Sequence, residues 1–226
     1  FFDQDPNPDL GSTLTEAELE DAPHDHTGRF QRFQTDVEVS PRSLPGQKNG
    51  RFLATGNEHW PNGQIAEDPT NRVEQVHRRL GKLDAIRDDL NAMDESYQSY
   101  WGEEDADIGV IAWGSHQGTA EEAVENLVAD GKSVKGLGVS EIMPFPKAEI
   151  TEFIESVDEV LIVEMNASAQ FRGLLQKELG DYGQKISSLL KYNGEPFRSS
   201  EIEEGVELRL DGGGEPTAQV TLQPAA

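Results

Sequence analysis

The 226-residue sequence contains no cysteine, and its basic residues are scarce, with 19 Lys and Arg against 43 Asp and Glu. The missing thiols exclude disulfide bonds, a cysteine nucleophile and an iron–sulfur cluster held by cysteines of this chain. No apolar run approaches the roughly 20 residues that span a bilayer, and no signal-peptide pattern is present. We therefore expect a cytoplasmic protein that does not act at a membrane.

The formal net charge of −24 repels nucleic acid and anionic membranes, so neither is expected as a partner. The acids are spread through segments with periodic patterns, which favours the surface of a halophilic protein over a disordered acidic tail. Self-repulsion should then loosen the fold when salt is removed, so the thermal unfolding midpoint should be much lower in dilute buffer than in about 2 M KCl. Equal midpoints would contradict the halophilic interpretation.

Composition and patterning divide the chain into four parts. They are an acidic leader with one short helix (1–28), a segment of short extended pieces and a long helix (29–100), an α/β domain (105–198) and a C-terminal tail (199–226). The leader is expected to be exposed and loosely held, because it has eight acids and three prolines but no Lys or Arg. The chain begins with Phe-Phe instead of Met, which we interpret as a fragment or a processed product.

The long helix is predicted to begin at Asp68 and Pro69, a good N-cap and first helical residue. Its apolar residues recur at helical spacing and should face a core: Val73, Val76, Leu80, Leu83 and Leu90. The helix also gathers much of the scarce positive charge: Arg72, Arg78, Arg79, Lys82 and Arg87. A solvated face that balances nearby acids is the commoner meaning of such a run, and a docking face for a partner or an anionic ligand is the alternative.

The pattern becomes regular from residue 107, after an acidic and aromatic stretch (93–107) interpreted as a linker. Apolar segments typical of strands alternate with amphipathic helices through short loops. The predicted strands are DIGVIAW, SVKGLGVS, EVLIVEMN and KISSLLKY. This alternation predicts an α/β fold with a parallel sheet flanked by helices on both faces. In the tail, Ser200 and Glu203 resemble a capping box, and TAQVTL could form an edge strand.

Three motif-like stretches fail as cofactor sites. DGKS (130–133) lacks the glycine that a P-loop requires, because position 126 is Asn126. GLGVSE (136–141) lies on a predicted strand and ends in Glu141, so it is not a dinucleotide fingerprint. WGSHQG is not a nucleophile elbow, and Ser115 within it is interpreted as a helix N-cap.

The run Gly56-Asn57-Glu58-His59, followed by a Trp-Pro-Asn-Gly turn, is the first candidate site. Adjacent side chains do not easily converge on a metal ion, and no convincing ligand spacing occurs elsewhere, so no metal site is predicted. Glu58 and His59 are instead expected to hydrogen-bond a turn whose shape Gly56 and Gly63 permit.

The second candidate site lies at the carboxyl edge of the predicted sheet. Ser115, Asn166 and Gln170 follow the first and third predicted strands, and ligands of parallel sheets bind at this edge. Backbone N–H groups at the start of the helix near Ser115 could face an anion or a partner. Helix capping by these polar residues is an equally good interpretation.

Five stretches occur in an order that resembles one known family. They are SPRSLPG (40–46), TGNEHWPNGQIAEDPTNRVEQVHRRLGKL (55–83), WGSHQGTAEEAVENL (113–127), PFP (144–146) and VEMNASAQFRGLL (163–175). Their order resembles the C-terminal half of the α subunit of 2-oxoacid:ferredoxin oxidoreductases, especially the 2-oxoglutarate type, over roughly residues 28–198. The later stretches also resemble C-terminal domains of transketolase-like thiamine enzymes. On this resemblance, the segment before the α/β domain is the end of a pyrimidine-binding-type domain with a long helix.

The resemblance implies oxidative decarboxylation of a 2-oxoacid with coenzyme A, giving an acyl-CoA, CO2 and reduced ferredoxin. Thiamine diphosphate, magnesium and a [4Fe-4S] cluster are then expected on a partner β subunit, which agrees with the absence of cysteine here. Arg42, Gly56, Asn57, Glu58 and His59 are expected near the interface with that subunit. This chain alone should bind no cofactor and should be inactive.

The sequence also departs from the family pattern. The Tyr-Pro-Ile-Thr-Pro motif and the substrate-binding Arg segment that follows it are absent, which we interpret as truncation upstream of Phe1. Trp60 stands where the family often has Asp, so the turn's detailed role stays open. Two alternatives remain: a subunit of another thiamine-dependent enzyme, such as a dehydrogenase-complex component, or a non-catalytic α/β assembly module.

Overall fold

A computed structural model describes residues 13–92, 97–180, 182, 185–212 and 217–219, the last three by their backbone alone. The chain divides into two compact units between Ala92 and Met93. The helices are α1 (Glu16–Asp21), α2 (Pro69–Asn91), α3 (Gln117–Ala129), α4 (Lys147–Glu155), α5 (Gln170–Leu179) and α6 (Ser199–Leu210). The strands are β1 (Ser99–Gly102), β2 (Ile108–Trp113), β3 (Val134–Val139), β4 (Glu159–Glu164), β5 (Ile186–Leu190) and β6 (Thr217–Gln219). Within these described ranges, no helix is long and apolar enough to cross a membrane.

The described part of the predicted leader is packed into the first unit. Thr13 pairs with Arg42 in a β-bridge, and the N–H of Leu14 donates to the carbonyl of Arg42 at 2.9 Å. Helix α1 forms where predicted, with a capping box between Thr15 and Glu18, and its Leu19 is completely buried. The prediction of a loosely held leader is therefore wrong for residues 13–28, because Leu19 anchors the helix; residues 1–12 lie outside the described part.

Helix α2 begins as predicted, with the Asp68 carboxylate accepting from the N–H of Asn71 at 2.8 Å. Its predicted apolar face is not the buried one: Val73 and Leu80 are 52% and 58% exposed, and Val76, Leu83 and Leu90 are only partly buried. The buried residues are Asn71, Gln75 and Arg78. The reason lies in the irregular loops beneath the helix, whose buried carbonyls need hydrogen-bond donors. The side-chain amide of Asn71 donates to the carbonyl of His59 (3.2 Å), and that of Gln75 donates to the carbonyl of Phe33 (3.1 Å).

The second unit is built on a six-stranded sheet with the order β1-β3-β2-β4-β5-β6. Strands β2 to β6 pair in parallel, which confirms the predicted α/β fold with a parallel sheet flanked by helices. Strand β1 is antiparallel to β3 and was missed, because its sequence, SYWG, lies in the stretch interpreted as a linker. The alternation of strands and helices had indicated only the parallel part.

Two apolar layers form the core, one on each face of the sheet. Helices α3 and α6 cover one face and contact the side chains of Ile108, Val110, Leu161 and Val163. Helices α4 and α5 cover the other face, where Ile111, Val160 and Ile162 are buried. Alternate residues of β2 and β4 therefore point to opposite layers, as the two-residue period of a strand requires.

Part of the predicted C-terminal tail belongs to this core. Helix α6 buries Ile202 and Val206 completely against the sheet. Its first turn is closed by the Glu201 carboxylate, which accepts from the N–H of Arg198 at 2.8 Å, so the predicted Ser200–Glu203 cap is wrong. Glu203 instead accepts from the side-chain amide of Asn126 at 2.7 Å.

The glycines of β3 have a packing role. Trp101 on β1 lies opposite Gly136, and its ring covers both Gly136 and Gly138. A Cβ atom on Gly138 would lie 2.7 Å from the Trp101 ring and 2.6 Å from the side-chain oxygen of Gln117, closer than real contacts allow. The Gly-Leu-Gly sequence therefore makes room for an indole ring.

Candidate functional site

The shape of the turn that follows Gly56 depends on one glycine, Gly63. The N–H of Trp60 donates to the carbonyl of Gln64 (2.8 Å), and the N–H of Gly63 donates back to the carbonyl of Trp60 (2.7 Å). Gly63 has a φ of +82°, and a Cβ atom there would overlap the carbonyl of Leu53. A Cβ atom on Gly56 would meet nothing within 4 Å, and Gly56 does not adopt a positive φ. Gly63 alone of the two predicted glycines therefore determines the shape of this turn.

Glu58 fastens the turn to helix α2. Its side chain is only 8% exposed and accepts two parallel hydrogen bonds from the Arg79 guanidinium, at 2.9 and 2.8 Å. Arg72 lies 3.7 Å away on the same helix. The hydrogen bonds from Arg79 hold the pKa of Glu58 below its ordinary value against the opposing effect of burial. Glu58 is thus an ionised structural anchor, and it is not available as a general base.

His59 has unused hydrogen-bonding capacity. Its ring packs against Phe33 with the ring centroids 4.0 Å apart, and its backbone pairs with Ile65. The ring atom Nδ1 is buried and has no hydrogen-bond partner among the residues that the structure describes. Asn57 and Gly56 are exposed beside it. The turn therefore presents exposed backbone and one half-buried imidazole.

Arg42 lies in the turn-rich segment 40–46 of the same unit. Its side chain is exposed, and its carbonyl holds Leu14 in place. Its positive charge acts on Arg32, whose pKa is lowered first by burial and then by Arg78 and Arg42. Arg42 is therefore one member of a group of cations on the first unit.

At the carboxyl edge of the sheet, the organising residue is Glu164, which the sequence analysis did not select. It is fully buried at the end of β4, and its carboxylate accepts from the N–H groups of Phe171 (2.8 Å) and Arg172 (3.2 Å). Asn166 donates to the same carboxylate at 2.8 Å and accepts from the N–H of Gln170 at 3.2 Å. Glu164 and Asn166 thus close the start of α5 from within the chain. The signal in the sequence was a lone acid at the end of the apolar run VLIVE.

Ser115 lies apart from this cap. It is exposed in the 3-10 turn of residues 114–116, and the position before α3 is His116, with no side-chain cap. The prediction that Ser115 is the N-cap is therefore wrong, because the extra turn displaces it from the helix start. Asn166 and Gln170 are brought together by the structure, and Ser115 is not bound to either of them.

His116 and its aromatic neighbours were also missed by the sequence analysis. The Nε2–H of His116 donates to the carbonyl of Val163 at 2.8 Å, and its ring lies about 6.2 Å from those of Trp113 and Phe197. Burial lowers its pKa below the ordinary value, so the imidazole is neutral at pH 7. The Nε1 atom of Trp113 is buried without a hydrogen-bond partner in the described part of the chain. His116 is therefore a neutral donor that fastens the β2–α3 connection to β4.

No three His, Cys, Asp or Glu side chains of the described residues are placed to hold a metal ion. The two candidate sites contain backbone turns, a closed helix start and one ion pair, between the buried carboxylate of Glu58 and the half-exposed guanidinium of Arg79. They are suited to holding surfaces in a fixed shape, and they contain no nucleophile–base pair.

The three-layer arrangement, with a mainly parallel sheet between two pairs of helices, defines an α/β protein. Residues 106–201 match the family model described as pyruvate:ferredoxin oxidoreductase core domain II. The chain is similar to the α subunits of 2-oxoacid:ferredoxin oxidoreductases, in agreement with the resemblance seen in the sequence.

Two curated relatives and one solved structure illustrate the relationship. The chain is 32% identical over 200 residues to the α subunit of 2-oxoacid:ferredoxin oxidoreductase 1 from Aeropyrum pernix, covering 88% of this chain and 29% of the relative. It is 29% identical over 187 residues to the 2-oxoglutarate oxidoreductase subunit KorA of Mycobacterium tuberculosis, covering 81% and 27%.

The solved structure is the 2-oxoglutarate:ferredoxin oxidoreductase from Magnetococcus marinus with 2-oxoglutarate, coenzyme A and succinyl-CoA bound. Its similarity to this chain has a TM-score of 0.61 at 27% identity, over 82% of this chain and 32% of that one. The chain therefore spans about three tenths of the length of these curated relatives.

Proposed function

We propose that this chain is part of the α subunit of an enzyme that oxidatively decarboxylates a 2-oxoacid with coenzyme A, yielding an acyl-CoA, CO2 and reduced ferredoxin. The observation that carries the proposal is the family match over residues 106–201, which includes the whole of β2 to β5. The favoured substrate is 2-oxoglutarate, because relatives named for that substrate and a structure containing it are among the similar proteins. A relative named for ketoisovalerate keeps branched oxoacids among the substrates to be tested.

The proposed complex places its resident cofactors on a partner β subunit. This chain has no cysteine, so it offers no thiolate for a [4Fe-4S] cluster. Magnesium and thiamine diphosphate are likewise proposed on that partner, and no three His, Cys, Asp or Glu side chains of the described residues are placed to hold a metal ion. Coenzyme A is proposed as a co-substrate and ferredoxin as the electron acceptor, and we propose that the complex works in the cytoplasm.

We further propose that this chain contributes surface to the subunit interface. In the first unit, the turn of residues 56–59 is held rigidly by the Glu58–Arg79 pair while Asn57 faces solvent. In the second unit, Gln170 lies exposed at the closed start of α5. Rigid turns with exposed polar tips are suited to meeting a partner whose surface is complementary, because little conformational entropy is lost on binding.

The proposal is tested by purifying the complete gene product that contains this stretch, in high salt, together with whatever protein remains bound to it. We expect a cysteine-bearing, thiamine-containing partner and reduction of methyl viologen that requires both coenzyme A and an oxoacid. Rates with 2-oxoglutarate, pyruvate and 2-oxoisovalerate determine the substrate. A product that purifies alone, with neither thiamine nor redox activity, would instead support the assembly-module hypothesis.

A further inference from the structure

Beyond the proposed function, the first unit contains a group of cations gathered around one buried serine. Ser40 accepts a hydrogen bond from the Arg32 guanidinium at its carbonyl (2.9 Å) and another from the Arg78 guanidinium at its hydroxyl (2.7 Å). Lys82 follows Arg78 by one helical turn and therefore lies on the same face of α2. We name Arg32, Ser40, Arg78 and Lys82 the Ser40 cluster.

The charge of this cluster is not compensated within the described part of the chain. None of its three cations forms an ion pair within 4 Å with a described carboxylate, although Glu38 packs against Gly81 nearby. The neighbouring Arg72 and Arg79 differ, because both face Glu58. In a chain of net charge −24, three cations without a carboxylate partner are an unusual local concentration of positive charge.

One N–H group of Arg78 also lacks a hydrogen-bond partner among the described residues. Arg78 is 9% exposed, and its Nε–H is buried with no partner among the described residues. A buried donor without a partner is destabilising, and such groups in folded proteins call for an explanation. The electrostatics agree with the geometry: burial, followed by the charges of Arg78, Arg32 and Arg79, lowers the pKa of Lys82.

The cluster adjoins open space. Arg32 and Ser40 line a cavity of about 320 Å³ whose wall also includes Phe30 and the acidic residues Glu18 and Asp21. A ligand can therefore reach the Arg32 side of the cluster from solvent. Two guanidinium groups on Ser40, with an ammonium group one helical turn along α2, provide more positive charge than a single carboxylate neutralises. A phosphate carries close to two negative charges and several acceptor oxygens.

From this convergence we infer that the Ser40 cluster binds the phosphate group of a small molecule. The phosphate oxygens accept from the guanidinium groups of Arg32 and Arg78 and from the ammonium group of Lys82. Ser40 holds the two guanidinium groups in place through its carbonyl and its hydroxyl. Binding supplies an anion in direct contact with these three cations, which no described carboxylate does within 4 Å.

The inference is tested on the full 226-residue chain by titrating inorganic phosphate at constant ionic strength against chloride, with calorimetric detection. We expect saturable binding in the wild type and about tenfold weaker binding in Lys82→Gln, since one charge-assisted hydrogen bond is lost. Lys82→Arg, which keeps the charge, should retain binding. Arg87→Gln is the matched control, because it removes the same charge from the same helix but acts on a residue paired with Asp84 at 2.9 Å.

Each outcome bears directly on the inference. Lys82 forms no hydrogen bond or ion pair with described residues, so its replacement should not unfold the chain, and unchanged thermal midpoints verify this. Equal weakening by Lys82→Gln and Arg87→Gln would mean a general charge effect and would overturn the site. Succinate binding as tightly as phosphate would overturn the phosphate assignment, and no saturable binding by the wild type would overturn the inference altogether.

Discussion

Replacing Gly63 by alanine should lower the free energy of unfolding of the first unit by about 3 kcal/mol or more. Two effects add at this position. The φ of +82° is one that L-residues rarely adopt, and the new Cβ atom would overlap the carbonyl of Leu53, which belongs to the backbone and cannot rotate away. The turn must therefore open, and the hydrogen bond from the Thr55 hydroxyl to the Gly63 carbonyl (2.8 Å) would be strained as well.

Gly56→Ala is the matched control for this prediction. It introduces the same methyl group seven residues earlier, where no atom lies within 4 Å and φ is not positive. Its effect should stay within about 0.5 kcal/mol, as for other surface substitutions. Urea unfolding followed by tryptophan fluorescence provides the comparison, because Trp60 lies in the affected turn and is 40% exposed. Similar losses in the two variants would contradict the assignment of the turn's shape to Gly63.

The Gly63→Ala variant also bears on the proposed subunit interface. If the turn of residues 56–59 meets the partner, Gly63→Ala should reduce the amount of partner that purifies with the complete gene product. Retention of the partner by a Gly63→Ala product with a disordered turn would remove this turn from the interface. The proposal for Asn57 and His59 would then fall, without affecting the family assignment.

The parts of the fold that could be predicted are those determined by local periodicity. Strands β2 to β5 are apolar runs, and each is followed by a helix whose apolar residues repeat at helical spacing, so the sequence itself indicates the parallel order. Strand β1 could not be predicted in this way. It forms because Gly136 and Gly138, more than 30 residues later, leave room for Trp101, and such a long-range fit has no local signal.

The orientation of α2 shows a second limit of the sequence pattern. Val73 and Leu80 have the spacing of a buried face, yet they are exposed because the loops beneath the helix require the donors of Asn71 and Gln75. Hydrophobic periodicity assumes that the packing partner is apolar. Where the partner is irregular backbone, hydrogen bonding to its carbonyls determines which face of the helix is buried.

In the first candidate site, the turn could be predicted from the sequence, and the contacts of its side chains could not. The run of residues 56–59 was selected correctly as a turn, but the partner of Glu58 is Arg79, 21 residues later, and no local pattern pairs them. Glu164 lies within the predicted strand EVLIVEMN, and the pattern of that stretch does not indicate a role for its side chain. Its function depends on the N–H groups of the following helix, which only the fold brings near it.

Lys191→Met is expected to destabilise the second unit by about 3–5 kcal/mol. Lys191 is 1% exposed at the end of β5, and its ammonium group donates to both carboxylate oxygens of Glu201, at 2.9 and 2.8 Å, and to the carbonyl of Pro196 at 2.8 Å. Methionine has similar length and removes the charge together with the three hydrogen bonds that the ammonium group donates. The loss is large because Glu201, whose side chain is 8% exposed, would remain buried without its cation.

The control is the double variant Lys191→Met with Glu201→Leu. It removes the carboxylate together with the ammonium group, so no charge is left buried, and replacing a whole buried pair by apolar residues is often neutral or stabilising. Most of the lost stability should therefore return, as measured by urea unfolding at pH 7. A double variant as unstable as the single one would mean that packing, and not the unpaired charge, is responsible.

The pH dependence of the unfolding free energy provides a sharper test. In the wild type, protonation of Glu201 should destabilise the fold, whereas in Lys191→Met it should stabilise the fold. In the wild type, burial alone would raise the pKa of Glu201, but its hydrogen bonds to Lys191 and to the N–H of Arg198 hold that pKa below the ordinary value. The stability that the ionised Glu201 carboxylate contributes is therefore complete at pH values above the pKa of Glu201 in the unfolded state. It is lost as the pH falls through the pKa of Glu201 in the folded state.

Without Lys191, burial should dominate and the pKa of Glu201 should rise above its ordinary value. The folded state then binds a proton more readily than the unfolded state, so acidification should stabilise the variant relative to the wild type. The difference in unfolding free energy between them should narrow as the pH falls from 7 towards 4. A difference that stays constant over this range would show that Glu201 does not titrate with unfolding, and the large loss at pH 7 would then require another cause.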